Sequence, residues 1–214
     1  MIKNLIFDFD GTLADTQEGI LATEREMLRR MGLTEPAREH MCSAIGLPLP
    51  ESLRRGCDIP TERVDEAVRL YRELFFDLAP RHIAIFDGVK ETLAAFARQG
   101  IRMAIATSRS SNTLEAILAA HGMADYFPCR VTADCSIKPK PAPDMVLHLL
   151  HEMGIRADET LVVGDTTFDL EMGKGAGCLT AGVTFGNHSR EMLATVRPDW
   201  IIDRFDALRR IVGI

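Results

Sequence analysis

Four short runs of uninterrupted apolar residues stand out along the chain: Leu5 to Phe7, Met103 to Ala106, Leu161 to Val163, and Leu179 to Val183, the last broken by Gly182. Continuous rather than alternating apolarity suits strands buried on both faces, the environment of a parallel sheet covered by helices. Between these runs the apolar positions take a helical period, and each stretch stops at a glycine. Val89, Leu93, Phe96 and Ala97 precede Gly100; Leu114, Ile117 and Leu118 precede Gly122; Val146, Leu149, Leu150 and Met153 precede Gly154. Asp87 is placed to cap the first of these helices, and Pro143 suits the first turn of the third. Pro198 to Ile202 reads as one more short strand, followed by a closing helix. The alternation predicts an α/β fold, a doubly wound parallel sheet.

From about Asp15 to His82 the alternation stops, and this interval holds helical patterns without a convincing strand. Ile20, Leu21, Met27, Leu28 and Met31 share one helical face before Gly32; Val64, Ala67, Val68, Tyr71, Leu74 and Leu78 share another. Pro48, Pro50 and Gly56 mark shorter pieces between them. The expected organisation is a core made of residues 1–14 and 83–214, with an inserted all-helical domain at 15–82. A chain of 214 residues has room for both.

Composition narrows the partners. With 25 Lys and Arg against 31 Asp and Glu, the net charge is −6 and no basic tract appears, which disfavours nucleic acid. No apolar run approaches the roughly 18 residues of a membrane span, so no membrane association is expected. Five scattered cysteines (Cys42, Cys57, Cys129, Cys135, Cys178) without a C-x-x-C pair read as reduced thiols of a cytoplasmic protein.

In an open α/β sheet the ligand crevice lies beyond the carboxyl ends of the strands. Those positions carry Asp8-Phe9-Asp10-Gly11-Thr12-Leu13-Ala14-Asp15, then Thr107-Ser108, then Gly164-Asp165-Thr166-Thr167-Phe168-Asp169, with a Lys138-Pro139-Lys140-Pro141 loop before a helix. Singly, each has a plain reading as a cap or a solvated loop residue. Together, several carboxylates at one sheet edge repel one another and call for a cation. An all-oxygen ligand set suits Mg²⁺. His148 and His151, three apart on a helix, have no further ligands and read as a surface face.

These segments resemble the four motifs of the haloacid dehalogenase superfamily, in that family's order and approximate spacing. The likeness is to its phosphoglycolate phosphatase-like branch, which carries a helical cap after the first motif, and it spans essentially the whole chain. The resemblance implies Asp8 as the nucleophile that forms an aspartyl-phosphate and Asp10 as the general acid and base. It implies Mg²⁺ held by Asp8, the Asp10 backbone carbonyl and Asp165, with Asp169 binding directly or through water. Gly11 would make the sharp turn, Thr107 and neighbouring N–H groups would bind phosphoryl oxygens, and a lysine would neutralise the phosphoryl charge. Lys140-Pro141-Ala142-Pro143 has the family's distance to Met153-Gly154, which favours Lys140, while Lys138 fits the same pattern two residues early.

Dehalogenases lack an acid at the Asp10 position, so its presence here points to phosphoryl chemistry. Sugar phosphomutases share the cap and both aspartates but carry Glu-Asp where this chain has Gly164-Asp165, so a hydrolase of a small phosphorylated metabolite is favoured, with mutase and pyrophosphatase as alternatives. A signalling receiver domain lacks both a D-x-D pair and a helical insert, and a catalytically idle binding protein would not need the intact set. Substrate choice is expected in the insert, where Ala44 to Leu53, including Gly46, occupies the place of the family's cap substrate loop. Ser108 and Arg109 after the second motif are placed to reach the leaving group. Arg54 and Arg55 are candidates for a substrate carboxylate, though a solvated helix face is the plainer reading of each. Leu70, Tyr71, Leu74, Phe75 and Phe76 pack the insert's own helices or form a dimer surface, leaving monomer or homodimer open.

Overall fold

Asn4, Leu5, Ile6 and Phe7 are all fully buried, so the strand they form has no solvent-facing side and must lie inside a covered sheet. The structure, a computed structural model, describes residues 1–79 and 81–214. In chain order the elements are β1 (Asn4–Phe7), β2 (Ala14–Asp15), α1 (Gln17–Met31), α2 (Arg38–Ser43), α3 (Leu49–Gly56), α4 (Val64–Leu78), β3 (Ala84–Ile85), α5 (Val89–Arg98) and β4 (Arg102–Ala106). There follow α6 (Ser111–Ala120), β5 (Cys129–Val131), α7 (Asp144–Met153), β6 (Thr160–Gly164), α8 (Thr167–Gly175), β7 (Leu179–Val183), α9 (Arg190–Thr195), β8 (Trp200–Ile202) and α10 (Leu208–Val212).

Six strands form one parallel sheet in the order β5-β4-β1-β6-β7-β8. The strand order reverses at β1, which pairs with β4 on one side and β6 on the other, Phe7 standing opposite both Ile105 and Val163. Successive side chains of a strand point to opposite faces. Leu5, Phe7, Ile105 and Val163 meet α5, α6 and α10 through Leu93, Phe96, Leu114 and Leu208. Ile6, Ala104 and Val162 meet α7 and α8 on the other face through Val146, Leu149 and Met172. The result is a doubly wound α/β layer structure whose ligand crevice falls at the carboxyl ends of β1, β4 and β6.

The helices α1 to α4 lie between β2 and β3 and share an apolar cluster that includes Leu21, Met27, Leu28, Leu53, Tyr71 and Leu74. The chain leaves and re-enters through an antiparallel ribbon, with Ala14 opposite Ile85 and Asp15 opposite Ala84. Asp15 is therefore in a two-residue strand, inside an interval expected to be free of strands. Asp87 does not cap α5: Gly88 occupies that position with φ 78°, and its carbonyl accepts from Thr92 N–H. Pro143 stands at the N-cap of α7, one position before the first helical turn. β5, α8 and α9 have no counterpart in the sequence reading. β5 is an edge strand, half-buried at Cys129 and Arg130, and lacks the continuous apolarity of the central strands.

Phe7 stacks on Phe205 (5.7 Å between centroids) and meets Phe127 edge-on (6.1 Å) at the centre of one core layer. Phe7→Ala is expected to lower the free energy of unfolding by about 3–5 kcal/mol in urea titration, the range for a buried aromatic truncation.

Candidate active site

The Asp8 N–H donates to the Val163 carbonyl at 2.9 Å, which continues the β1–β6 ladder by one residue and delivers the Asp8 carboxylate to the sheet edge. The chain then reverses tightly. The Phe9 carbonyl accepts from Leu13 and Ala14 N–H at 3.0 and 3.1 Å, and Gly11 N–H donates to the Ala14 carbonyl at 2.8 Å. Gly11 has φ 83°, and a β-carbon there would lie 2.2 Å from an Asp165 carboxylate oxygen. Only glycine brings the loop this close.

Lys140 is buried against this turn. Its Nζ donates to Asp8 at 2.5 Å and to Asp169 at 2.6 Å, with no side-chain exposure. Lys138, the competing match, is exposed. Asp169 is divided between two tasks: Oδ1 accepts from Lys140, and Oδ2 accepts from the Thr166 N–H (3.0 Å) and hydroxyl (2.7 Å) in a capping box that starts α8. Asp165 is held from the other side, Oδ1 by the Thr12 hydroxyl at 3.0 Å and Oδ2 by the Asn187 N–H and Nδ2, each at 2.7 Å. Gly164 has no room for a side chain, since a β-carbon would fall 2.2 Å from that of Asp169.

Asp10 faces a different cation. Its carboxylate is clasped by Arg109, with Nε at 3.1 and 3.0 Å from the two oxygens and a second bond from the guanidinium NH₂ to Oδ1. The guanidinium lies 4.9 Å from the Phe75 ring of the insert and 5.8 Å from Phe9 of the core. Arg109 is thus committed to Asp10 and is not free for a leaving group. Thr107 is buried at the end of β4, and its hydroxyl accepts from the Arg109 N–H at 3.2 Å. Ser108 donates to the Gly46 carbonyl at 2.8 Å, which ties the insert's loop to the sheet edge. Arg54 and Arg55 pair with Glu51 on an exposed face of α3, and His148 and His151 are exposed on α7.

Asp8, Asp10, Asp165 and Asp169 therefore gather at one sheet edge with Lys140 and Arg109 as counter-charges. Burial opposes the charge on Lys140, but Asp169 and Asp8 outweigh it and raise its pKa, so the ammonium stays protonated. Burial pushes Asp8 well above the usual carboxylate range; Lys140 pulls against this, and Asp169, Asp165 and Asp10 add to it. Burial, then the Asp169 charge, brings Asp165 up to about 7 despite its hydrogen bonds. Carboxylates that resist ionisation in this way lack positive charge. One oxygen from each of Asp8, Asp165 and Asp169 lies within 4.8 Å of the others, so a divalent cation fits the donor set. The Asp10 side chain is outside that group, and its backbone carbonyl takes no part in the hydrogen bonds of the turn described above.

A cavity of about 410 Å³ opens beside these groups, lined from the sheet edge by Asp8, Asp10, Thr107, Ser108 and Arg109. From the insert, Glu24, Ser52 and Tyr71 line it, none of them among the predicted site residues. Glu24 is buried on α1, one carboxyl oxygen has no hydrogen-bond partner, and burial moves its pKa from 4.5 up to about 8, partly offset by the neighbouring Cys57 thiol. Glu24 carried a readable signal: it interrupts the apolar face formed by Ile20, Leu21, Met27 and Leu28 at helical spacing. Thr12, which also orients Asp165, lay within the Asp8 to Asp15 segment but had no role assigned to it, and Asn187 gave no signal.

Residues 5–183 match the model of the haloacid dehalogenase-like hydrolase family. A Dickeya dadantii protein named "Probable phosphatase IndB" is 38% identical over 205 residues, covering 94% of this chain and 89% of its own. A phosphoglycolate phosphatase of Pectobacterium atrosepticum is 31% identical, covering 99% and 93%. A haloacid dehalogenase-like hydrolase of Bacteroides fragilis superposes with a TM-score of 0.92 at 26% identity, over 97% of this chain and all of its own.

Lys140→Ala leaves Asp8 and Asp169 without their buried cation and is expected to cost about 3–5 kcal/mol in urea denaturation, whereas Lys138→Ala stays within about 0.5 kcal/mol of the parent. Glu24 holds its proton more tightly folded than unfolded, so stability falls as pH rises from 4.5 to about 8 and then levels. Glu24→Gln removes that dependence. The parent is expected to lose up to about 5 kcal/mol relative to the variant across this window.

Proposed function

We propose that this chain, which belongs to the haloacid dehalogenase-like hydrolase family and is one of its phosphatases, hydrolyses a small phosphomonoester by way of a phosphorylated Asp8. The observation that carries the reading is the Asp8–Lys140–Asp169 triad, buried at the strand-order reversal and unbalanced in charge. Lys140 restrains the Asp8 carboxylate and lowers the cost of bringing a phosphoryl group against it. Asp8 attacks phosphorus, the bond to the leaving oxygen breaks, and Asp10 supplies that oxygen's proton. Asp10 then takes a proton from the water that attacks the phosphorus of the aspartyl-phosphate, releasing phosphate and restoring Asp8.

Arg109 holds the Asp10 carboxylate in place through its Nε and NH₂ groups. Thr107 and the neighbouring backbone N–H groups receive phosphoryl oxygens. Asp8, Asp165, Asp169 and the Asp10 carbonyl would hold Mg²⁺, whose chemistry when bound is to screen the phosphoryl oxygens and the clustered carboxylates. The insert, residues 15–82, covers the site through the Gly46–Ser108 and Phe75–Arg109 contacts and excludes water during transfer. The absence of space at Gly164 supports hydrolysis over the mutase reading, because the glutamate typical of mutases would displace Asp169. The five free thiols suit a reducing cytoplasmic setting.

Phosphate release from a panel of phosphomonoesters, 2-phosphoglycolate and pyrophosphate is the test. We expect turnover that EDTA stops and Mg²⁺ restores, and that Asp8→Asn reduces to background with an unchanged circular dichroism spectrum. Metal-independent turnover, or normal turnover by Asp8→Asn, overturns the mechanism.

A further inference from the structure

The wall of the cavity away from the phosphoryl chemistry is built by the insert, and three of its polar side chains bring hydrogen-bonding groups to it. Glu24 on α1, Ser52 on α3 and Tyr71 on α4 are 1%, 6% and 7% exposed and line the same cavity. One Glu24 oxygen is buried without a partner, although the carboxyl also meets the Cys57 thiol, and the Ser52 and Tyr71 side chains line the cavity beside it. An unpaired buried polar atom costs stability, and the Glu24 oxygen together with two hydroxyls from separate helices at one cavity forms a site built for something that fills it.

We propose that Glu24, Ser52 and Tyr71 form the leaving-group subsite of this phosphatase and select an uncharged, hydroxyl-rich organic group, as in a polyol phosphate, over a carboxylate. The inference rests on the phosphatase reading above.

The chemistry of the lining carries the choice. A carboxylic acid, an aliphatic hydroxyl and a phenol each donate and accept, which matches a chain of alcohols that also do both. Burial keeps the Glu24 acid and the Tyr71 phenol protonated at neutral pH. Ile20, Leu49 and Phe75 lie among them and suit the carbon skeleton of such a group. A substrate carboxylate would need a cation, and the lining offers two. Arg109 is engaged by Asp10 in a buried pair, and Arg72 is exposed. Against them stand Asp8, Asp10 and Asp134, so a second negative charge on the substrate would enter a wall already rich in acids.

The test compares kcat/KM for phosphate release, with Mg²⁺ present, across matched pairs of three, four and six carbons. The pairs are glycerol 3-phosphate with 3-phosphoglycerate, erythritol 4-phosphate with 4-phosphoerythronate, and sorbitol 6-phosphate with 6-phosphogluconate. The polyol is expected to win at least tenfold in the best-used pair. Glu24→Leu should raise KM for that polyol at least fivefold and shrink the preference, without lowering the melting temperature, because it removes a buried carboxyl with an unpaired oxygen. Glu24→Gln, which still donates and accepts, should keep most of the preference. If Glu24→Leu does not fold, Ser52→Ala and Tyr71→Phe each remove one oxygen and should shrink the same ratio. Equal use of both series, preference for the carboxylates, or a ratio unmoved by these variants overturns the proposal while p-nitrophenyl phosphate turnover leaves the phosphatase reading standing. No release from any ester, p-nitrophenyl phosphate included, overturns both.

Discussion

Four carboxylates share the end of one sheet with two buried cations, and the surrounding structure is arranged around that imbalance. Lys140 answers Asp8 and Asp169, and Arg109 answers Asp10. Asp165 is left to hydrogen bonds from Thr12 and Asn187, which orient it but bring no charge. The raised pKa values of Asp8 and Asp165 are the cost of that deficit. Such an arrangement is stable only because the elements that supply the acids are fixed by packing: β1 and β6 pair within fully buried layers, and Gly11 lets the turn press against Asp165. A buried ion network with charge left over is a poor device for stability and a good one for receiving a cation and a phosphoryl group.

Arg109 also joins the two parts of the molecule. Its guanidinium holds Asp10 of the core while lying against Phe75 of the insert, and the adjacent Ser108 holds the Gly46 carbonyl. One short segment after β4 therefore touches both the insert and Asp10.

Much of this was legible in the sequence, for definite reasons. The central strands announced themselves because both faces are buried, so Leu5 to Phe7 and Leu161 to Val163 are continuous apolar runs. β5 did not, because as an edge strand it is only half-buried, and the β2–β3 ribbon is too short to carry a period. Asp8, Asp10, Asp165 and Asp169 could be picked out because strand ends in a doubly wound sheet converge. The choice between Lys138 and Lys140 rested on spacing, and burial separates them: one is solvated, the other touches two acids. Arg109 was expected near a leaving group; its partnership with Asp10 joins residues 99 positions apart, which no local pattern encodes. Glu24 was visible as an acid in an apolar stripe, yet its significance appears only once α3 and α4 bring Ser52 and Tyr71 beside it.

The central claim is that the charge deficit at Asp8, Asp165 and Asp169 is met by one divalent cation. Calorimetric titration of the metal-free protein with Mg²⁺, repeated in buffers of different ionisation enthalpy, tests it most directly. One ion per chain should bind, with protons released at pH 6 in larger number than at pH 8, because Asp165 titrates near 7 before the ion arrives. Binding should weaken at least tenfold in Asp165→Asn. Absence of binding, or binding that neither releases protons at pH 6 nor responds to Asp165→Asn, would contradict the account.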